Sequence, residues 1–264
     1  PTFVPRPMDM GPISPPEVVI NEIWVDDNRS IYPSLGGRAI DGDWVELLVQ
    51  APEGADIRGW RLTDNDTRTS VQEGSLIFGD HEQLAAVPCG TVILIVATQS
   101  AANDLVFPVD DLSAANGRLI LYVGKDALDA LRDPGFDIGI NNDSVALLAP
   151  GPSAAFGDDV GRDFVAEGRA TTPATFGILE DGVVFDAPFR HLGQDDGAFL
   201  QVWHGHNAVT DWHVDPSSCE SRDAQCLDAV TLVTPGELNP GQQFYRAGCL
   251  WTRSIGYLRQ TFGR

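Results

Sequence analysis

Val18-Val19-Ile20-Asn21-Glu22-Ile23-Trp24-Val25 is a run in which β-branched and aromatic residues dominate and nothing repeats at helical spacing. Such side chains fit a pleated, half-buried surface better than a helix, so the run reads as a strand. Two further runs of the same character follow it. Trp44-Val45-Glu46-Leu47-Leu48-Val49 comes after a polar, turn-rich spacer from Asp26 to Gly42, and Gly59-Trp60-Arg61-Leu62-Thr63 alternates apolar and polar faces. Asp64-Asn65-Asp66 closes the third strand in a turn, because Asp and Asn side chains bond readily to their own backbone.

The pattern continues along the chain. Leu76-Ile77-Phe78 reads as a short strand. Thr91 to Ala97 is apolar without interruption, as expected of a strand buried on both faces. Arg118 to Val123 follows an Asn-Gly turn signal. A short helix is expected from Asp126 to Arg132, with Asp126 as N-cap and Asp133-Pro134-Gly135 as the stop. Further strands are expected at Ser144–Leu148, Asp163–Ala166, Gly182–Phe185, Phe199–Trp203 and Ala229–Leu232. Many short strands with almost no helical periodicity predict an all-β sandwich or barrel. No internal repeat is visible.

Charge narrows the partners. A formal net charge of −21 sets the average field against a phosphate backbone, so no nucleic-acid partner is expected. The acid is mostly Asp, and Lys125 is the single lysine. That composition suits a salty or calcium-containing medium, and equally follows from codon usage in a GC-rich genome. No run reaches the ~18 apolar residues that span a bilayer, so no membrane insertion is expected. The sequence starts at Pro1 without Met, which points to removal of a leader or to a cloning choice. Cys219 and Cys226 flank a short polar segment and read as a disulfide-closed loop, leaving Cys89 and Cys249 to pair by elimination. Four buried thiols are the other reading.

The ordered series of segments resembles the lamin-tail domain. The residues that carry the resemblance are V-V-I-N-E-I at Val18–Ile23, D-W-V-E-L at Asp43–Leu47 and G-W-R-L-T-D at Gly59–Asp64. Later pieces are G-T-V-I-L-I-V at Gly90–Val96, N-D-S-V-A-L-L at Asn142–Leu148 and R-D-F-V-A-E-G at Arg162–Gly168. D-W-H-V-D at Asp211–Asp215 and T-P-G-E-L-N-P-G at Thr234–Gly241 complete it. The resemblance implies an immunoglobulin-like β-sandwich with long loop insertions, secreted or at the cell surface, and brings no catalytic residues. Its span is taken as 17–243, with insertions around 98–141 and 169–198 that exceed the compact family pattern. A Pro-rich extended arm, 1–16, and an apolar tail, 244–264, lie outside it.

Several constellations invite chemistry. Asp64 and Asp66 offer oxygens at alternating positions, as calcium loops do, although the glycine and glutamate of an EF-hand are missing. Asp26-Asp27, Asp41 and Asp43 are nearby loop carboxylates. His204 and His206 would point to one side of a strand, as a zinc site requires, with His213 and His191 as further candidates. Glu22 and Glu46 sit at similar offsets on the first two strands. They read either as a general acid/base pair or a metal site, or as side chains on a solvated face or accepting backbone donors at a sheet edge, and the last reading is favoured. Trp24, Trp44 and Trp60 are expected in packing. No nucleophile elbow, P-loop, zinc-protease helix or dinucleotide fingerprint is present.

The expectation is a non-catalytic structural or adhesive module with no required cofactor, calcium being optional. It would act through a protein partner or self-association by way of its ends. An accessory binding domain of an extracellular hydrolase or nuclease is the alternative, and a metal-dependent enzyme built on the histidines is a distant third.

Overall fold

A computed structural model describes residues 17–25, 30–32, 38–40, 43–66, 71–96, 111–123, 128–130, 143–151, 160–166, 183–184, 196–200, 212–215 and 234–238. Two sheets dominate it. The first is built around β1 (Val18–Val25) and β4 (Trp44–Val49), which pair antiparallel. β7 (Val92–Val96) adds antiparallel to β4, and β8 (Arg118–Tyr122) runs parallel to β7. On the other side of β1 come β13 (Asp196–Leu200) and then β14 (Trp212–Asp215). The strand order is therefore β14-β13-β1-β4-β7-β8.

The second sheet is ordered β12-β11-β10-β5-β6-β9. Its strands are β5 (Arg61–Asp66), β6 (Val71–Phe78), β9 (Leu128–Ala130), β10 (Asp143–Ala149), β11 (Val160–Ala166) and β12 (Val183–Val184). A separate two-stranded ribbon joins β2 (Ser30–Tyr32) and β3 (Arg38–Ile40) inside the spacer read as turn-rich. Helix is limited, among the described residues, to single 3₁₀ turns at Glu82–Leu84 and Ala114–Asn116. None is long and apolar enough to cross a membrane. The all-β expectation is met at this level.

One apolar core joins the two sheets. From the first sheet it takes Val18, Ile20, Ile23, Val45, Leu47, Val49, Ile93, Ile95, Leu119 and Leu121. The second contributes Trp60 (just before β5), Leu62, Leu76, Phe78, Val145 and Leu147. Each such side chain, fully buried, is worth about 1.5–3 kcal/mol over leaving it exposed. The continuous apolar run of β7 is explained by burial on both faces, and β4 is covered on both faces as well, Glu46 included.

Two local expectations fail. The third strand does not end at Thr63: β5 continues through Asp66, because Asp143, Ser144 and Val145 of β10 pair with Asp66, Asn65 and Asp64. A partner strand some eighty residues away overrides the local turn propensity of Asp and Asn. The helix expected from Asp126 to Arg132 is instead the short strand β9, where Leu128–Ala130 pairs with Phe78–Leu76 of β6. The expected insertion 98–141 thus contributes β8 and β9 to the two sheets. The strand expected at Ala229–Leu232 lies outside the described residues.

Candidate functional site

The register of β1 on β4 slips between Ile20 and Glu22, so Asn21 is an extra residue and forms a bulge. Below the slip Ile20 faces Leu47; above it Glu22 faces Glu46 and Trp24 faces Trp44. Alternation puts Val45 and Leu47 into the shared core, and therefore Trp44, Glu46 and Leu48 on the opposite face. The bulge lets β1 place Ile20 and Ile23 in that core, with Glu22 and Trp24 beside Glu46 and Trp44.

These four side chains form two successive rungs of one ladder. The indoles stack with centroids 6.1 Å apart and planes 5° from parallel. Next to them the carboxyls of Glu22 and Glu46 are fully buried. The expectation that they lie on a solvated face or at a sheet edge is thus overturned. β1 and β4 are interior strands, and their far face is covered as completely as their near one.

Part of the cover is Thr234–Leu238. Glu237 N–H donates to the Thr234 carbonyl at 2.8 Å, with Gly236 at φ 78°. Pro235 and Gly236 occupy the two central positions that a type II turn assigns to Pro and Gly. The turn presents its amides to the carboxyls. Gly236 N–H donates to Glu46 Oε2 at 2.7 Å, while Asn21 Nδ2 donates to Glu46 Oε1 at 2.6 Å. Leu238 packs against the cluster of Val19, Leu48 and Val92 on the same face, as Cys89 does.

Glu22 is treated differently. Neither of its carboxyl oxygens has a hydrogen-bond partner of good geometry, although the Thr234 backbone amide leans towards it and favours its charge in part. Burial first, and the Glu46 carboxyl second, push Glu22 well above the usual carboxylate range. Glu46 is pushed up to about 8, again by burial, with the Asn21 and Gly236 hydrogen bonds opposing and Glu237 adding to the rise. An ionised, unpaired carboxylate in such a place would cost several kcal/mol, so burial favours a proton on the pair.

A third buried carboxylate ties the sheets together. Asp163 of β11 accepts the Ile20 amide at 2.6 Å. β13 pairs with β1 from Glu22 to Val25, so the Ile20 amide lies beyond that ladder, next to the bulge.

The remaining sequence candidates are scattered. Asp64 and Asp66 lie on β5, opposite Val145 and Asp143 of β10, rather than in a turn. Asp43 is buried just before β4, whereas Asp26, Asp27 and Asp41 lie outside the described residues. His213 is on β14, in register with Phe199; His191, His204 and His206 lie outside the described residues. Among the described residues no group of three or more His, Cys, Asp or Glu side chains is placed to hold a metal ion. Cys89 is the one cysteine described. It is not a free thiol, its sulfur is 3.4 Å from the Gln50 carbonyl oxygen, and Cys219, Cys226 and Cys249 lie outside the described residues. No disulfide therefore joins two described residues.

Asn21, Asp163 and Gly236 were not singled out by sequence reasoning. Pro235-Gly236 carried a turn signal, but nothing local said which residues that turn would meet. The chain matches no protein-family model, no curated protein and no solved structure.

Proposed function

We propose that the chain is a non-catalytic structural or adhesive module, secreted or displayed at the cell surface, which works through a protein partner or copies of itself. The observation that carries this reading is the state of Glu22 and Glu46. They face each other across neighbouring strands, and they are sealed between β1, β4 and the 234–238 turn with no exposed surface of their own. The hydrogen bonds of Glu46 go to the Gly236 backbone and to the Asn21 side chain. The segment resemblance to lamin-tail domains and the charge of −21 favour an extracellular setting and argue against nucleic acid. An immunoglobulin-like order of the strands and the Cys219–Cys226 and Cys89–Cys249 pairings belong to the same proposal.

Light scattering on a size-exclusion column, run across a range of protein concentrations, tests it. Assembly that grows with concentration is the expected result; one monomeric peak throughout would remove self-association. Calcium at Asp64 and Asp66 is a subsidiary proposal. A higher melting temperature in Ca²⁺ than in chelator supports it, and identical melting curves dispose of it.

A further inference from the structure

The Glu22–Glu46 rung poses a charge problem that the fold must solve. Two carboxyls stand directly opposite on neighbouring strands, a placement that brings Cβ atoms to about 4.5–5.5 Å. Among the described residues, the charges acting on them are their own and that of Glu237 on the covering turn. From the other elements of this sheet, β7 brings Leu94 next to Glu46 and β8 brings Ile120 beyond it, while on the other side β13 sets Phe199 opposite Glu22 and β14 sets His213 opposite Phe199, two strands from Glu22. Arg118 and Tyr122 of β8 flank Ile120, two strands away from Glu46. β11 sends Asp163 to the Ile20 amide. A bound metal cation is a poor solution. Both oxygens of Glu46 already accept N–H donors, and the two oxygens of Glu22 fall far short of the six to eight that calcium takes. A proton needs one oxygen.

The Thr234–Leu238 turn is the element this proton holds down. It lies astride the pair, Thr234 towards Glu22 and Gly236 on Glu46, and its Leu238 covers the apolar shelf of Val19, Leu48 and Val92. We propose that Glu22, Glu46 and this turn form a proton-held latch: with a proton on the carboxyl pair the turn stays docked, and loss of that proton lifts it and bares the shelf. Two adjacent carboxylates would be left in an apolar bed with Glu237 beside them. Among the described residues the turn is the element off the sheet that bonds to the pair, so its departure is what would let water reach them. The latch thus opens on the alkaline side and closes on acidification.

Amide hydrogen exchange of the full chain tests the latch, reading the 234–238 amides against those of β7 as an internal standard. After correction for intrinsic exchange, protection of 234–238 should fall about tenfold or more between pH ~6 and pH ~10, while that of β7 holds. In Glu22→Gln, which keeps shape but cannot ionise, that fall should be absent. A 234–238 segment equally protected at both pH values overturns the proposal, as does the same fall in Glu22→Gln or a parallel fall in β7. Should Glu22→Gln fail to fold, carbon-13 NMR of the wild-type glutamate carboxyls decides the matter. One carboxyl still protonated at neutral pH is expected, and titration of every glutamate in the ordinary acid range overturns the latch.

Discussion

Towards the second sheet, β1 and β4 present Val18, Ile20, Ile23, Val45, Leu47 and Val49. On the opposite face the same two strands present Val19, Glu22, Trp24, Trp44, Glu46 and Leu48. Both faces are dry, yet they are held by different forces. The inner face is apolar throughout, and non-directional burial makes it tolerant of which apolar residue meets which. Carboxyl oxygens on the outer face accept from Asn21 and Gly236 at fixed distances, so one distant turn can dock in one place only. The inner face supplies stability. The outer face selects its partner segment, and keeps a proton in order to do so.

The sharpest way to break the inner face is Phe78→Ala. This side chain is among the largest that are fully buried, and its truncation should cost about 3–5 kcal/mol, read as a lower urea midpoint at unchanged slope. A loss below about 1 kcal/mol would mean that the two sheets do not share a core.

Glu22→Gln probes the outer face through pH. Both carboxyls are raised above their ordinary value in the folded protein, so the folded state holds protons that the unfolded state gives up. The contribution of Glu46 is complete below the unfolded value of 4.5 and is lost as pH rises through about 8, and that of Glu22 is likewise lost on the alkaline side. Wild-type stability should therefore decline across that window by an amount on the order of a few kcal/mol. The variant should decline less, overtaking wild type at the alkaline end. Denaturant midpoints at acidic, neutral and alkaline pH give the comparison.

Asp163→Ala attacks the seam between the sheets. It leaves the Ile20 amide without its acceptor next to the bulge, a loss of about 1–3 kcal/mol, together with faster exchange of that amide. The smallest effect belongs to the surface. Arg58 bridges Asp56 and Asp80 at 2.6 and 3.1 Å, and it holds the Asp56 carboxyl below its usual value through a side-chain hydrogen bond. These groups are solvated, so Arg58→Ala should leave the midpoint where it is. A clear drop there would mean that exposed pairs matter as much as buried ones in this protein.

Local patterning reads β1, β4 and β7 well. Their propensity, length and burial all point the same way, and Val18–Val25 and Trp44–Val49 are bounded as expected. It fails where a remote strand decides. The acidic end of β5 and the strand β9 look like turn and helix in isolation, and become strands because β10 and β6 offer them open ladders. The carboxyl pair fails for a related reason. Glu22 and Glu46 interrupt apolar runs, and a polar residue at such a place ordinarily signals a wet face. Only a segment 190 residues beyond Glu46 reveals that this face is covered. N-E, V-E-L and T-P-G-E were each visible; their meeting was not.

That separation has a consequence for the chain as it is made. At synthesis rates of ~5–20 residues per second, Glu46 waits about 10–40 s for Gly236 to exist. During that interval the carboxyls of Glu22 and Glu46 are hydrated and, at neutral pH, ionised. They place negative charges inside Val18–Val25 and Trp44–Val49, two runs whose β-propensity and hydrophobicity invite pairing with other nascent chains. The residues that lock the finished fold therefore serve first as gatekeepers of the unfinished one, and exchange that duty for a proton when the turn arrives.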